Sequence, residues 1–482
     1  MKRNLAVLTF VLSLMACVPA DITPQQVRLA PETLGLGEAP APQSQVNWWH
    51  AFGDAQLDHL MDVALAGNPT LEVALARLRL AQADMTAQRS QLYPQVTFDA
   101  QDERQRFSEN YIIPPPYGGT WQWMGTVQGN LSWNLDFWGK QAAEVSKAKD
   151  LRAAAQLDSE TARLAVSGAL TQAYIALARA WRLIDIAKDA EQEQQNLLLL
   201  TQRRIESGLD SNVEEKKAEA LFSRARENRI GAEAARDIVV HEIAAIAGHG
   251  ADLYPQISRP ALDLAATLPL PVALPADLLA RRPDILAAKA RIDASVSERK
   301  SAAAAFYPNV DLLAFAGWQA IGLRPLFNAS STGYGAGPAI DLPIFDAGKL
   351  RANYGAATAG LDEAVADYNG ALTNAVKETS DALSEIRALD RQSEQERQTL
   401  SAADASYRLA QTRYRTGLAN QLTVLDAEGV WLAERQADAT LAAEGATQRV
   451  ALLIAVGGGF QPDKVQPPPA EDSLSSILQV TP

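Results

Sequence analysis

The sequence predicts a membrane α+β chain, built twice over, in which long transmembrane-type β-strands alternate with helical hairpins of coiled-coil length. Three observations carry this reading. The 482 residues include 25 prolines, yet 117–254 and 344–461 contain none. Proline inside a helix costs about 3 kcal/mol, so such gaps mark long helices. Between the helical stretches the hydrophobic period switches to two, the period of a strand with one apolar face. The landmarks of the first half then recur in the second at a nearly fixed offset, as in an internal duplication.

The chain opens on Lys2 and Arg3, followed by an apolar run from Leu5 to Ala16 that is too short to span a bilayer. Leu14-Met15-Ala16-Cys17 resembles a bacterial lipobox, so 1–16 reads as a lipoprotein signal peptide and Cys17 as the lipidated residue. The plainer alternative is an ordinary signal peptide with a chance cysteine. Residues 17–53 then form an N-terminal acylated segment, 54–257 a first repeat, 258–460 a second repeat, and 461–482 a tail. After Cys17 no run of about 18 apolar residues occurs, so any membrane-spanning part must be a β-barrel.

Each repeat opens on a helical pattern, about Gln56 to Leu92 in the first and Asp284 to Phe306 in the second. Tyr93-Pro94 and Tyr307-Pro308 follow. Leu170, Leu177 and Ile184 then show heptad spacing. Gly139, Gly208 and Gly248 are separated by 69 and 40 residues, and so are Gly348, Gly417 and Gly457. A helix filling the longer interval spans about 100 Å at 1.5 Å per residue.

Between these markers lie the strands. From Trp121 to Phe137 every odd position is apolar or glycine, and the even positions are mostly polar. Tyr334, Ala336, Pro338, Ile340, Leu342 and Ile344 keep the same phase, and shorter alternations run through Val96, Phe98 and Ala100 and through Val310, Leu312 and Ala314. Aromatic-rich alternation of this length fits a lipid-facing barrel wall, the alternative being a soluble sandwich edge. Two repeats of two strands give four strands, too few to close, and an open edge in hydrocarbon leaves backbone groups unpaired. Several chains must therefore share one barrel.

Other function classes find little support. A net charge of −13 argues against a nucleic-acid partner, and one cysteine excludes a disulfide framework within the chain. His50, His59, His241 and His249 show no metal-ligand spacing and read as surface or boundary residues. Gly457-Gly458-Gly459 lacks the lysine of a phosphate loop and reads as a helix stop. Acidic residues scattered among Lys and Arg read as solvated helix faces. No catalytic motif, metal site or cofactor site is predicted.

The motifs together resemble those of the TolC-like outer-membrane efflux factors, in the lipoprotein branch of OprM and NodT-type proteins. The resemblance runs from Trp48-Trp49 to Gly459-Phe460. It rests on Leu274-Pro275-Ala276-Asp277-Leu278-Leu279, Arg281-Arg282-Pro283-Asp284-Ile285, Phe306-Tyr307-Pro308, Trp133-Asn134-Leu135-Asp136-Phe137-Trp138-Gly139-Lys140, Arg413-Tyr414-Arg415-Thr416-Gly417-Leu418 and Val424-Leu425-Asp426-Ala427. It implies a homotrimer with a 12-stranded transmembrane β-barrel, four strands per chain, continuous with a long periplasmic α-helical barrel of coiled-coil hairpins. The implied function is the outer-membrane exit duct of a tripartite efflux system, passively conducting drugs or other toxic compounds. Its implied partners are a periplasmic adaptor (membrane fusion) protein, an inner-membrane pump of RND type and outer-membrane lipid. The turns at Gly208-Leu209 and Gly417-Leu418, with Arg204 and Arg413 upstream, would be adaptor-contact tips. Leu422 and Asp426, one turn apart, would line the periplasmic gate. Lys217 stands at the first-repeat position equivalent to Asp426, so only one hairpin would carry that gate. A type I-like secretion duct and a periplasmic adaptor lipoprotein are the competing readings.

Overall fold

The computed structural model describes residues 19–34, 46–110, 112–262, 264 and 282–461. Cys17, the 274–281 motif and the tail beyond 461 lie outside them. The helices are α1 (Ala55–Gly67), α2 (Pro69–Ser90), α3 (Lys140–Glu206), α4 (Asn212–Ile246), α5 (Pro283–Ala304), α6 (Lys349–Arg415) and α7 (Gln421–Ala455). The strands are β1 (Gln95–Arg106), β2 (Trp121–Asn134), β3 (Asn309–Ile321) and β4 (Thr332–Asp341). The duplication is exact in length for the hairpin helices: α3 and α6 each have 67 residues, α4 and α7 each 35. No described helix is long and apolar enough to cross a membrane.

The chain folds into two compact units. One takes the residues up to Arg28, Arg77–Gln156 and Ala287–Asn369; the other takes Leu29–Ala76, Leu157–Leu286 and the chain from Gly370 onward. Each draws on both halves of the chain, so neither unit coincides with 54–257 or 258–460.

The first unit holds one antiparallel sheet in the order β1-β2-β3-β4. Its register places Val96, Leu131, Ala314 and Ala336 in one row and Phe98, Gly129, Ala316 and Tyr334 in the next. Residues paired across strands share a face, so the separate alternations of the sequence merge into one apolar surface. Val96, Phe98, Trp121, Tyr334 and Ile340 on that surface are exposed. The opposite face is polar, with Asn130 Nδ2 donating to Asp99 Oδ2 at 2.5 Å and Gln128 Nε2 to Asn130 Oδ1 at 2.9 Å. Leu313 and Ile321 are exceptions on it, and so is Phe315. Its ring lies over Gly335, where a Cβ would come within 2.9 Å of the ring edge.

Three predicted boundaries shift, each for a local reason. The helix expected over 56–92 is broken at Asn68, whose backbone is extended (ψ 122°) because Pro69 follows. The Asn68 Oδ1 accepts from the amides of Thr70 and Leu71 and starts α2. The alternation through Phe137 outruns β2, which ends at Asn134; Asp136 takes a positive φ of 42°, and its carboxylate caps α3 through the amides of Gln141 and Ala142. Likewise β4 stops at Asp341, short of Ile344, just before Pro343, which has no N–H to continue a ladder.

Residues 21–28 form a strap against α6 that no sequence pattern announced. Asp21 pairs with Arg351, the amides of Gln25 and Gln26 both donate to Asp362 Oδ1 at 2.8 Å, and Val27 O accepts from Asn369 Nδ2 at 3.0 Å. Arg299 of α5 reaches Ile22 O at 3.2 Å while lying 4.9 Å over the Tyr354 ring.

The core of the second unit gathers Trp48, Trp49, Phe52, Leu57 and Met61 around α3 residues Leu170, Tyr174 and Leu177, with α4 and α7 adding Ile243, Ala446 and Val450. Its polar pin is Tyr174, whose hydroxyl donates to Asp54 Oδ2 at 2.8 Å and accepts from Gln56 Nε2 at 2.7 Å. Burial, and then the hydrogen bond to Asp54, raise the tyrosine pKa, so this pin stays protonated.

Candidate functional site at the hairpin tips

Both hairpins of the second unit end in the same backbone device. At the first, Gly208 takes φ +74°, its amide donates to Ile205 O and the Leu209 amide donates back to Arg204 O, both at 2.8 Å. At the second, Gly417 takes φ +75°, donating to Tyr414 O at 3.0 Å while the Leu418 amide reaches Arg413 O at 2.8 Å. This left-handed stop satisfies the last helical carbonyls and needs a residue without a Cβ. The return helices are capped at once: Ser211 Oγ accepts from the Val213 amide, and Asn420 Oδ1 from the Thr423 amide. A chain leaving a helix and entering the next within so few residues presents its turn as a blunt end. Leu209 (65% exposed) and Leu418 (78% exposed) cap these ends, where a soluble hairpin has polar residues.

The two tips differ in side chains. Arg204 donates from Nε to Asp210 Oδ2 at 2.7 Å and from Nη2 to Oδ1 at 3.3 Å, and its guanidinium lies 5.3 Å over the Tyr414 ring. The hydrogen bond to Asp210 raises the Arg204 pKa above its ordinary value. At the second tip Ala419 stands where Asp210 stands in the first, so Arg413 lacks that acid to clasp.

Leu422 and Asp426 both lie exposed on one side of α7, one turn apart. Val424 and Glu428, on the opposite side, are buried. Val424 joins Tyr407, Ala410 and Tyr414 in an apolar cluster beneath the tips, with Leu197, Leu200 and Trp431 against it. Packing on one side thus fixes the direction in which Leu422 and Asp426 project. Val213 and Lys217 hold the equivalent places on α4 and are also exposed.

Arg204, Gly208, Leu209, Arg413, Gly417 and Leu418 thus sit at the two turns and Leu422 and Asp426 on the exposed side of α7, whereas sequence reasoning missed Glu428. That side chain is 3% exposed and hydrogen-bonded by Gln194 Nε2 at 2.6 Å. Burial, and then the charge of Glu193, push its pKa up to about 7 against the opposing effect of Gln194. In sequence it is one acid among many on a coiled-coil helix, and only the helix phase set by Val424 singles it out. The four histidines are all exposed, and among the described residues no His, Cys, Asp and Glu group is placed to hold a metal.

Comparison with known proteins gives one answer at three levels. The outer membrane efflux protein family model matches residues 60–249 and 274–458. The fusaric acid resistance protein FusA of Burkholderia cepacia is 35% identical over 74% of this chain and 69% of its own length. The multidrug resistance outer membrane protein MdtQ of Escherichia coli is 31% identical over 87% of this chain and 89% of its own. Among solved structures, the outer membrane protein VceC of Vibrio cholerae superimposes with a TM-score of 0.80 at 33% identity, covering 87% of this chain and all of that one. The outer-membrane channel OprN gives 0.80 at 26% identity over 92% of this chain and 98% of its own. These neighbours are trimeric channels with a helical barrel and a β domain, which resolves the open edges left on β1 and β4: three chains supply twelve strands. The chain belongs to the outer membrane efflux protein family and is the outer-membrane exit duct of a tripartite efflux system.

Proposed function

We propose that this duct passively conducts drugs or other toxic compounds, and that α7 gates it through Leu422 and Asp426. In a three-fold assembly three copies of each residue converge toward the axis, the leucines narrowing it and the carboxylates favouring cations over anions. The observation that carries this reading is the exposed pair on α7, held outward by the buried Val424 and Glu428 behind it. The first hairpin offers Val213 and Lys217 instead, so one hairpin of each protomer carries the constriction.

The tips at Gly208-Leu209 and Gly417-Leu418, flanked by Arg204 and Arg413, are the surfaces for a periplasmic adaptor fed by an inner-membrane pump of RND type. Exposed leucine on a glycine-stopped turn allows close packing of helix ends, and this supports the assignment. Lipid attachment at Cys17 is supported by the lipobox-like run Leu14-Met15-Ala16-Cys17 that ends on it.

The test of the docking surface is the double substitution Leu209→Glu and Leu418→Glu. A buried unpaired charge costs several kcal/mol, so export and adaptor cross-linking should be lost while trimers still assemble. Normal drug resistance with normal cross-linking would remove the tips from the interface.

A further inference from the structure

Beneath the tips, α3, α6 and α7 border a cavity of about 250 Å³. Its charged and titratable lining is Glu193 from α3, Tyr407, Tyr414 and Arg415 from α6, and Glu428 from α7. Once Glu428 ionises, two carboxylates face one guanidinium, and the site is then short of one positive charge. Glu428 is 3% exposed, a position carboxylates almost never occupy without a partner. Its Oε2 accepts from Gln194, but among the described residues its Oε1 has no hydrogen-bond partner, and neither has the Oε1 of Gln194. When Glu428 is ionised, two neighbouring buried acceptors therefore lack donors. Beside them the Tyr407 ring stacks on Trp431 at 4.8 Å and 15°, a fixed aromatic wall.

Coiled-coil packing requires none of this, and the other hairpin shows as much. At the positions equivalent to Glu193 and Gln194 it has Ala402 and Ala403, and Leu198 stands for Tyr407. The arrangement belongs to one place in the molecule, outside both the tips and the exposed Leu422–Asp426 pair.

We propose that this cavity binds a small organic cation, an amine or an amidine, seated against Glu428. Its N–H groups supply the missing donors, its charge balances the second carboxylate, and the tyrosine ring offers the π face that such cations favour. The size suits a fragment and not a drug-sized molecule. Binding is linked to protons. With its pKa pushed up to about 7, Glu428 is mostly neutral at pH 6, so the arriving cation ionises it and the proton leaves to solvent. No bond other than this O–H changes.

The experiment uses the full-length trimer in detergent and isothermal titration with benzamidine, with benzamide as the uncharged analogue. Titrations at pH 6 in two buffers of different protonation heat read the protons exchanged. Benzamidine should bind at least tenfold more tightly than benzamide, release most of a proton at pH 6 and little at pH 8, and bind more tightly at pH 8. Glu428→Gln should lose at least tenfold in affinity and the proton release. Absence of benzamidine binding at millimolar concentration, equal binding of benzamide, or no proton release from the unaltered chain would overturn the proposal. Proton release is read without any substitution, so a poorly folded variant cannot rescue it. The gating assignment stands or falls separately, on conductance.

Discussion

Arg204 grips Asp210 across the Gly208 turn with two hydrogen bonds, Nε to Oδ2 at 2.7 Å and Nη2 to Oδ1 at 3.3 Å. The pair closes the first hairpin over its own backbone stop, and the second hairpin has no equivalent because Ala419 replaces the acid. Hydrogen exchange should show this asymmetry. Arg204→Ala should speed amide exchange over 205–211 several-fold, the local expression of about 1 kcal/mol for a partly exposed charged pair. Arg413→Ala should leave 414–420 unchanged. Equal responses at both tips would mean that the glycine stop alone holds the turns.

The sheet should be intolerant on one face only. Ala316 lies in the apolar row with Phe98, Gly129 and Tyr334, and Gln128 lies on the opposite face. Trp123 and Trp133, ten residues apart on β2, bracket both, about 34 Å of strand that a 45° tilt reduces to the height of a hydrocarbon layer. Arginine at a mid-membrane lipid-facing position costs about 2–4 kcal/mol. Ala316→Arg should therefore depress the yield of heat-modifiable trimer, and Gln128→Arg should leave it near normal. The reverse order would invert the assigned faces.

The strap supports a direct test of the anchor. Labelling with a radioactive fatty acid should mark the natural chain and not Cys17→Ser, and the variant should still form trimers because the Arg351 and Asp362 contacts of the strap are untouched. Equal labelling of both chains would remove Cys17 as the attachment site.

Glu428 also sets a pH dependence. Its folded pKa, about 7, lies above the ordinary 4.5, so between these values the folded chain holds a proton that the unfolded chain has lost. This contribution to stability is full below pH 4.5, falls as pH rises to 7 and is constant above. Glu428→Gln keeps the neutral form throughout. The difference in melting temperature, variant minus natural chain, should therefore grow by a few degrees from pH 5 to pH 8. Parallel melting curves across that range would place Glu428 in water.

Much of this molecule was legible because its constraints repeat. The spacing of Gly139, Gly208 and Gly248, matched at Gly348, Gly417 and Gly457, fixed helix lengths because each glycine adopts a positive φ that other residues avoid. The alternation from Trp121 gave the apolar face because strand pairing preserves phase. Boundaries slipped where one side chain overrode a pattern: Asn68 before Pro69, and Asp136 capping α3. The strap at 21–28 and the buried Glu428 were not legible. The strap is held by isolated polar contacts with no period, and the burial of Glu428 depends on which side of α7 meets α3.

The central claim is that Leu422 and Asp426 of α7 close this duct, and single-channel recording in planar bilayers addresses it most directly. The unaltered trimer should show small conductance that divalent cations reduce further, through the converging carboxylates. Replacing both residues by Ala should raise conductance several-fold and relieve the divalent block, with the trimer intact on a gel. Unchanged conductance together with unchanged divalent block in the double variant would contradict the account and place the constriction elsewhere.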